Sequence, residues 1–270
     1  MIPQHATVSP DPFFAQLARA PRAALLLDYD GTLAPFQVDQ AQALPYPGVR
    51  AALDALMEST DTRVVIVSGR WTRDLLPLLG LRRVPEVWGS HGWERRHPDG
   101  HIEIARPAEE ALCGLVAADG WIGQVHAAGG RSEMKPACLA IHWRGLDAAA
   151  AARIGAIVTE NWALHARDTG LELHHFDGGI ELRVPGRHKG HVVDTIRAEM
   201  PDAAFAYLGD DLTDEDAFRA LAGHGLGVLV RSEFRDTAAS LWLRPPTELL
   251  AFLQRWTATR RGARRPATGT

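Results

Sequence analysis

The chain has 270 residues, 46% of them hydrophobic and 23% charged, with 25 Gly and 17 Pro. That length fits one large domain or two ordinary ones, and that balance excludes fibrous and wholly disordered chains. The formal net charge of −4 offers no global attraction for nucleic acid or an anionic membrane, so an anionic ligand has to be held by a local cationic pocket.

The two cysteines, Cys113 and Cys138, have neither metal-type spacing nor the number for a disulfide framework, and they read as reduced, buried thiols. The opening MIPQHATVSPDPFF has no basic stretch followed by an apolar run, and no apolar segment approaches membrane-spanning length. A cytoplasmic enzyme without a membrane partner is the expectation. No feature calls for a second copy, so a monomer is compatible with the sequence.

In chain order, Phe13, Phe14 and Leu17 fall at helical intervals and predict a short scaffold helix over residues 12–20. Residues 25–36 read LLLDYDGTLAPF, an apolar run of strand length that stops at Asp28 and delivers Asp28 and Asp30 into a turn at Gly31. Two carboxylates so close repel unless one is protonated or a cation lies between them, and a hard ion such as Mg²⁺ would satisfy them. The pair also suits phosphoryl transfer, with one Asp attacking phosphorus and its neighbour moving the proton. Asp and Gly are equally common in a plain strand-ending turn, so the pair gains chemical meaning only together with motifs farther along the chain.

Residues 49–57 predict a crossover helix, 63–67 (RVVIV) a second strand, and 71–79 another helix. Ser68 ends that second strand, where a hydroxyl and freed backbone N–H groups suit a phosphate oxygen, although Ser is also an ordinary helix cap. A third strand at 86–88 and a turn at 98–100 complete a helix–strand alternation that predicts a parallel sheet. From residue 105 the pattern changes to helix 107–118, strand 132–144, helix 148–162 and a hairpin of 171–176 with 180–184 around residues 177–179. These form a separate α+β module inserted between core segments. The core resumes with a helix opened by Lys189-Gly190 and a strand at 203–208 that runs into GDDLTDEDAF. Asp210 and Asp211 precede the next helix, where a metal ligand would be placed, whereas Glu215 and Asp216 read as carboxylates favouring its dipole. A strand at 226–230, a helix at 235–240, a strand at 241–243 and a helix at 247–256 come next, and an Arg-rich mobile tail is expected after about residue 257.

DYDGTL, VSGR, the Lys189-Gly190 pair and GDDLTDEDAF resemble, in that order, the four motifs of the haloacid dehalogenase-like phosphatases. The resemblance implies an α/β, doubly wound parallel-sheet (Rossmann-like) core at 1–104 and 185–258, an inserted α+β cap at 105–184 and a tail at 259–270. It implies Asp28 as nucleophile and Asp30 as general acid/base. Thr32, Ser68, Gly69 and Lys189 become phosphate-binding, and Mg²⁺ is held by Asp210 beside the Asp28 carboxylate and the Asp30 carbonyl, with Asp211 and Asp214 in support. A phosphate monoester is so inert that enzymes accelerate its hydrolysis up to about 10²¹-fold, so neutralising charge on the transferring group is the site's main task.

GSHGWE, GIELRVPGRHKG and SEMKPACLAIHWR are further similar to the trehalose-6-phosphate phosphatases, a likeness extending over residues 23–256. It implies substrate binding by Glu133, Lys135, Arg144 and Glu181, whose carboxylates accept from sugar hydroxyls and whose cations donate to oxygens. Without it, these four read as salt-bridged residues on a solvated strand face. His188 stands where that family often has Asn, and residues 136–138 are unusual, which bears on the sugar more than on the reaction. The other histidines, among them His91, His142, His174 and His175, show no metal-ligand pattern and read as structural or surface groups. The implied activity is hydrolysis of trehalose 6-phosphate through an aspartyl-phosphate. The alternatives are a related phosphatase for sucrose phosphate or mannosylglycerate phosphate, and a catalytically silent sugar-phosphate sensor.

Overall fold

The structure, a computed structural model, describes residues 9–176 and 178–263. Helix α1 (Asp11–Arg19) turns Phe13, Phe14 and Leu17 inward and leads into β1 (Arg22–Asp28), which is buried from its second residue to its last. Alternation along β1 feeds two cores: Ala23, Leu25 and Leu27 face one, while Ala24 and Leu26 face the other. Burying one such leucine contributes roughly 1.5–3 kcal/mol, so β1 is fixed from both sides.

Helix α2 (Val49–Ser59), β2 (Arg63–Val67), α3 (Thr72–Leu79) and β3 (Glu86–Gly89) come after it, then the short β4 (Glu94–Arg96) and β5 (Ile102–Ile104). Next are α4 (Glu109–Ala118), α5 (Ile122–Ala127), β6 (Arg131–Lys135), β7 (Cys138–His142), α6 (Ala148–Thr169), β8 (Glu172–Phe176) and β9 (Gly179–Arg183). The chain then runs through α7 (Lys189–Glu199), β10 (Ala203–Gly209), α8 (Glu215–Leu221), β11 (Leu226–Val230), β12 (Leu241–Leu243) and α9 (Thr247–Ala263). No helix among the described residues is long and apolar enough to cross a membrane.

The chain divides into two compact units, one of them Glu103–Arg187 and the other the residues on either side of it. In the flanking unit the sheet order is β12-β11-β10-β1-β2-β3-β4, parallel from β12 to β3, with β4 antiparallel to β3. Side chains of α1, α2, α3 and α9 fill one face and those of α7 and α8 the other, the doubly wound arrangement expected of the sequence. Because β2 lies on one side of β1 and β10 on the other, the carboxyl end of β1 is the point where strand order reverses, and open α/β sheets bind ligands there.

The inserted unit is an antiparallel sheet, β6-β7-β9-β8, with apolar side chains on one face and charged ones on the other. Leu139, Ile141, Ile180 and Leu182 are fully buried, as are Ile154 and Trp162 of α6.

Four expectations are corrected. Residues 132–144 are not one strand but a hairpin, with Lys135 opposite Cys138 and Pro136-Ala137 at its tip; Pro136 has no N–H to give a ladder. Residues 235–240 form no helix, because Glu215 takes the Ala238 N–H, Thr237 Oγ1 takes that of Ala239 and the Gly227 carbonyl takes that of Ser240. The mobile tail does not begin near residue 257. Helix α9 continues to Ala263 because buried Arg260 donates to the Leu17 and Ala20 carbonyls and pairs with Asp61. Of the tail expected at 259–270, residues 264–270 lie outside the described residues, as does Asp177 of the 177–179 turn. Finally, Cys138 is buried but Cys113 is exposed, and both are free thiols.

Candidate active site

Parallel pairing brings the first carboxylates together. Leu27 of β1 lies opposite Leu208 of β10, so Asp28 is level with Gly209 and Asp210 follows one residue beyond, at the same edge of the sheet. Asp28 also lies opposite Val67 of β2, which puts Ser68 at the same edge. Asp28 Oδ1 accepts from Lys189 Nζ at 2.7 Å and Oδ2 from Thr32 Oγ1 at 3.2 Å. The same hydroxyl lies 3.4 Å from Asp210 Oδ1, so Thr32 spans the two carboxylates. Ser68 Oγ accepts the Arg70 N–H at 3.1 Å, which leaves its hydroxyl hydrogen to donate. Gly69 has no room for a side chain, since a Cβ would come within 2.5 Å of the buried His91 ring.

Asp214 is fully buried and accepts from four donors: Lys189 Nζ at 2.7 Å, Tyr207 OH at 2.6 Å, and the N–H groups of Asp210 at 3.0 Å and Asp211 at 2.9 Å. It therefore orients both the lysine and the turn after β10. The Asp211 carboxylate accepts the Leu212 N–H and caps the short turn beyond it. Asp30 points elsewhere: its two oxygens accept a forked pair of bonds from Arg70 Nε and Nη2, each 2.6 Å.

Asp28, Asp210 and Asp214 each place an oxygen within 4.8 Å of the others, a group able to hold a metal ion. Burial pushes the Asp28 carboxyl up to about 7, against the pull of Lys189 and with help from Asp214. Burial also drives Asp210 well above its ordinary value, and the charges of Asp28 and Asp214 add to the effect. Burial alone would pull the Lys189 ammonium down, but Asp214 and Asp28 outweigh it and raise the pKa.

Three observations test the fit of a cation. The three carboxylates outnumber the one ammonium among them, so ionising all three would leave two negative charges uncompensated in a buried place unless a cation joins them. Asp210 Oδ2 is buried with no hydrogen-bond partner. Gly31, at φ +85°, makes room for that oxygen, since a Cβ there would come within 2.1 Å of it. An all-oxygen, doubly negative set suits a small, hard dication.

In the inserted unit, cross-strand register aligns Glu133, Ala140, Glu181 and His174 in one row and Lys135, Cys138, Arg183 and Glu172 in the next. Glu181 is buried between two cations, with Lys135 Nζ at 3.1 Å and Arg183 Nε at 2.6 Å. Lys135 also lies 3.6 Å from Glu133, whose other neighbour is the His142 ring at 3.1 Å. Burial works against Glu133, but His142 and Lys135 hold its carboxyl below the usual range. Glu133, Lys135 and Glu181 thus form one cluster. Arg144 stands apart, beyond the end of β7 and packed on Gly178.

Arg70, Tyr207, Arg183 and His142 join these sites without being singled out by the sequence as site residues. Arg70 sits in VSGR and Arg183 two residues from Glu181, so adjacency is their only signal. His142 lies in the SEMKPACLAIHWR stretch but reads there as a structural or surface histidine, and Tyr207 carries no signal, since it stands within the apolar run of β10.

The family model described as trehalose-phosphatase matches residues 26–243. A trehalose-phosphate phosphatase of Mycobacterium marinum is 35% identical over 250 residues, covering 87% of this chain and 61% of that protein. The chain therefore spans about three fifths of that relative's length. A probable trehalose-phosphate phosphatase 4 of Oryza sativa subsp. japonica is 31% identical, with 89% and 67% covered. Among solved structures, the C-terminal domain of a C. albicans trehalose-6-phosphate phosphatase superposes with a TM-score of 0.81 at 22% identity, over 93% of this chain and 97% of that one, a likeness of fold. An Aspergillus fumigatus trehalose-6-phosphate phosphatase gives 0.61 at 26% identity, over 93% and 98%.

Proposed function

Since this chain belongs to the trehalose-phosphatase family, we propose that it hydrolyses trehalose 6-phosphate to trehalose and phosphate, using Mg²⁺ and a phosphoryl group carried on Asp28. The observation behind this reading is the buried Asp28 carboxylate at the switch point of the sheet, held between Lys189 and Thr32 and beside Asp210. Asp28 and Asp210 would hold Mg²⁺, with Asp214 behind them and the Asp30 carbonyl and Asp211 as further candidates. When bound, the ion supplies positive charge to the paired carboxylates and to the phosphoryl oxygens.

The chain's own groups do the rest. An Asp28 oxygen attacks phosphorus, the bond from phosphorus to the sugar oxygen breaks, and Asp30 gives that oxygen its proton. Asp30 then takes a proton from water, whose oxygen attacks the same phosphorus and releases phosphate and the Asp28 carboxylate. Since both Asp30 oxygens face Arg70 here, one of them has to turn toward the substrate to carry the proton. Lys189, Ser68, Thr32 and the Gly69 backbone are assigned to the phosphate, and Glu133, Lys135, Glu181 and Arg144 to the sugar.

Phosphate release from a panel of sugar phosphates, with Mg²⁺ and with EDTA, tests the proposal. Trehalose 6-phosphate should be the preferred substrate, EDTA should abolish turnover, and Asp28→Asn should be inactive while folded. Preference for another disaccharide phosphate would overturn the substrate, and wild-type turnover by Asp28→Asn would overturn the mechanism.

A further inference from the structure

The turn after β10 that carries Asp210 is held from two sides, and only one of them belongs to the chemistry above. From the inner side, Asp214 takes the N–H groups of Asp210 and Asp211. From the outer side comes Arg235, in the segment between β11 and β12. Its Nε donates to the Asp210 carbonyl at 3.2 Å and its Nη2 to the Asp211 carbonyl at 2.7 Å. Its Nη1 donates to Glu215 and, at 2.8 Å, to the Asp236 carbonyl.

The peptide joining Asp210 to Asp211 is thus engaged at both ends, with Arg235 on its oxygen and Asp214 on its nitrogen. Bonds on its oxygen and its nitrogen resist rotation of this peptide and so hold in place the backbone on which Asp210 stands. Glu215 holds the arginine in turn, accepting also from Thr237 Oγ1 and the Ala238 N–H, both at 2.8 Å. This bonding is also why residues 235–240 are not helical.

We propose that Arg235 is a positioning residue for the cation site: its planar fork fixes the Asp210–Asp211 backbone so that the Asp210 carboxylate is already directed at the ion. The proposal rests on the reading of Asp28 and Asp210 as cation ligands. Its geometric and electrostatic consequences have opposite signs, which makes it testable. Removing a positive charge near a cation site should by itself tighten cation binding. Releasing the ligand-bearing turn should weaken it, and loss of an outer partner of a metal ligand typically weakens affinity about 10- to 100-fold.

The measurement is calorimetric titration of the substrate-free protein with Mg²⁺, and with Mn²⁺ as a second hard ion. Wild type, Arg235→Met and Arg235→Lys are compared, with metal-free thermal unfolding recorded for each. Arg235→Met should bind about 10-fold more weakly or worse. Arg235→Lys should recover part of the loss, because an ammonium keeps the charge but reaches fewer of the fork's acceptors. A folded Arg235→Met with unchanged or tighter affinity overturns the proposal, even if its melting temperature has dropped, since a purely structural arginine would alter stability alone. Should Arg235→Met not fold, Arg235→Lys decides, an affinity equal to wild type overturning the proposal. Wild type that takes up neither ion would overturn the cation reading itself, whereas normal binding by wild type and variants alike would overturn only the part given to Arg235.

Discussion

Asp28 shows how burial and neighbours set the chemistry of one carboxyl. Its pKa is raised from 3.8 to about 7, chiefly by burial, so without a metal the native chain retains a proton there that the unfolded chain has released. The sign comes from linkage. This group's contribution to stability is full below 3.8 and is lost as pH rises through about 7. Asp28→Asn has no proton to exchange. In EDTA, wild type should therefore lose unfolding free energy relative to Asp28→Asn across that window, and saturating Mg²⁺ should reverse the loss, because a bound dication favours the ionised form. Denaturant titrations at several pH values would show it, and a difference between the two proteins that stays constant would mean that Asp28 is ionised throughout. Thr32 and Gly31 matter at the same scale: the one bridges the carboxylates and the other gives Asp210 its space.

At the scale of elements, the sheet of the inserted unit changes how the groups proposed for the sugar have to be tested. β6, β7 and β9 place Lys135, Glu181 and Arg183 within one buried charge cluster. Truncating Glu181 to Ala would remove the carboxylate that two buried cations share, and breaking such a pair typically costs about 3–5 kcal/mol. A loss of activity would then say nothing about the sugar. Glu181→Gln keeps the shape and one acceptor oxygen, so it is the better probe. If Glu181 reads the sugar, this variant should lose about 10-fold or more in kcat/KM for trehalose 6-phosphate, in the range of one charged hydrogen bond. Hydrolysis of a small aryl phosphate should stay near the wild-type rate. Equal losses on both substrates in a folded variant, or none on either, would remove Glu181 from the sugar site.

Over the whole molecule, the residues proposed for phosphate chemistry come from both sides of the inserted unit, so that Asp28 and Lys189 meet across 161 positions of sequence. Both cysteines lie within that unit, and their surroundings differ. Cys113 is exposed on α4, whereas Cys138 is buried on β7, where burial and the nearby Glu181 charge push its thiol up. A thiol reagent should modify one cysteine per native chain rapidly, and the second only when the unit unfolds. Two fast thiols would show that β7 opens on the reagent's timescale. The sequence by itself determined what rests on local periodicity: the strands and helices of the parallel core, the strand ends carrying Asp28, Ser68 and Asp210, and the α+β character of the insertion. Period-2 and period-3.6 patterns report which face of an element is buried, and chain order then limits how the elements are layered. Only the tertiary structure decided the partners of the charged groups. Arg70 on Asp30, Arg235 on the Asp210 turn and Arg260 of α9 on the Leu17 carbonyl join segments 25 to 243 residues apart, and no sequence period encodes which carbonyl or carboxylate a long cationic side chain will reach. The same holds for residues 235–240, whose helical pattern yields to a local bond to Thr237 and to bonds with Glu215 of α8 and Gly227 of β11, two acceptors that the fold brings there.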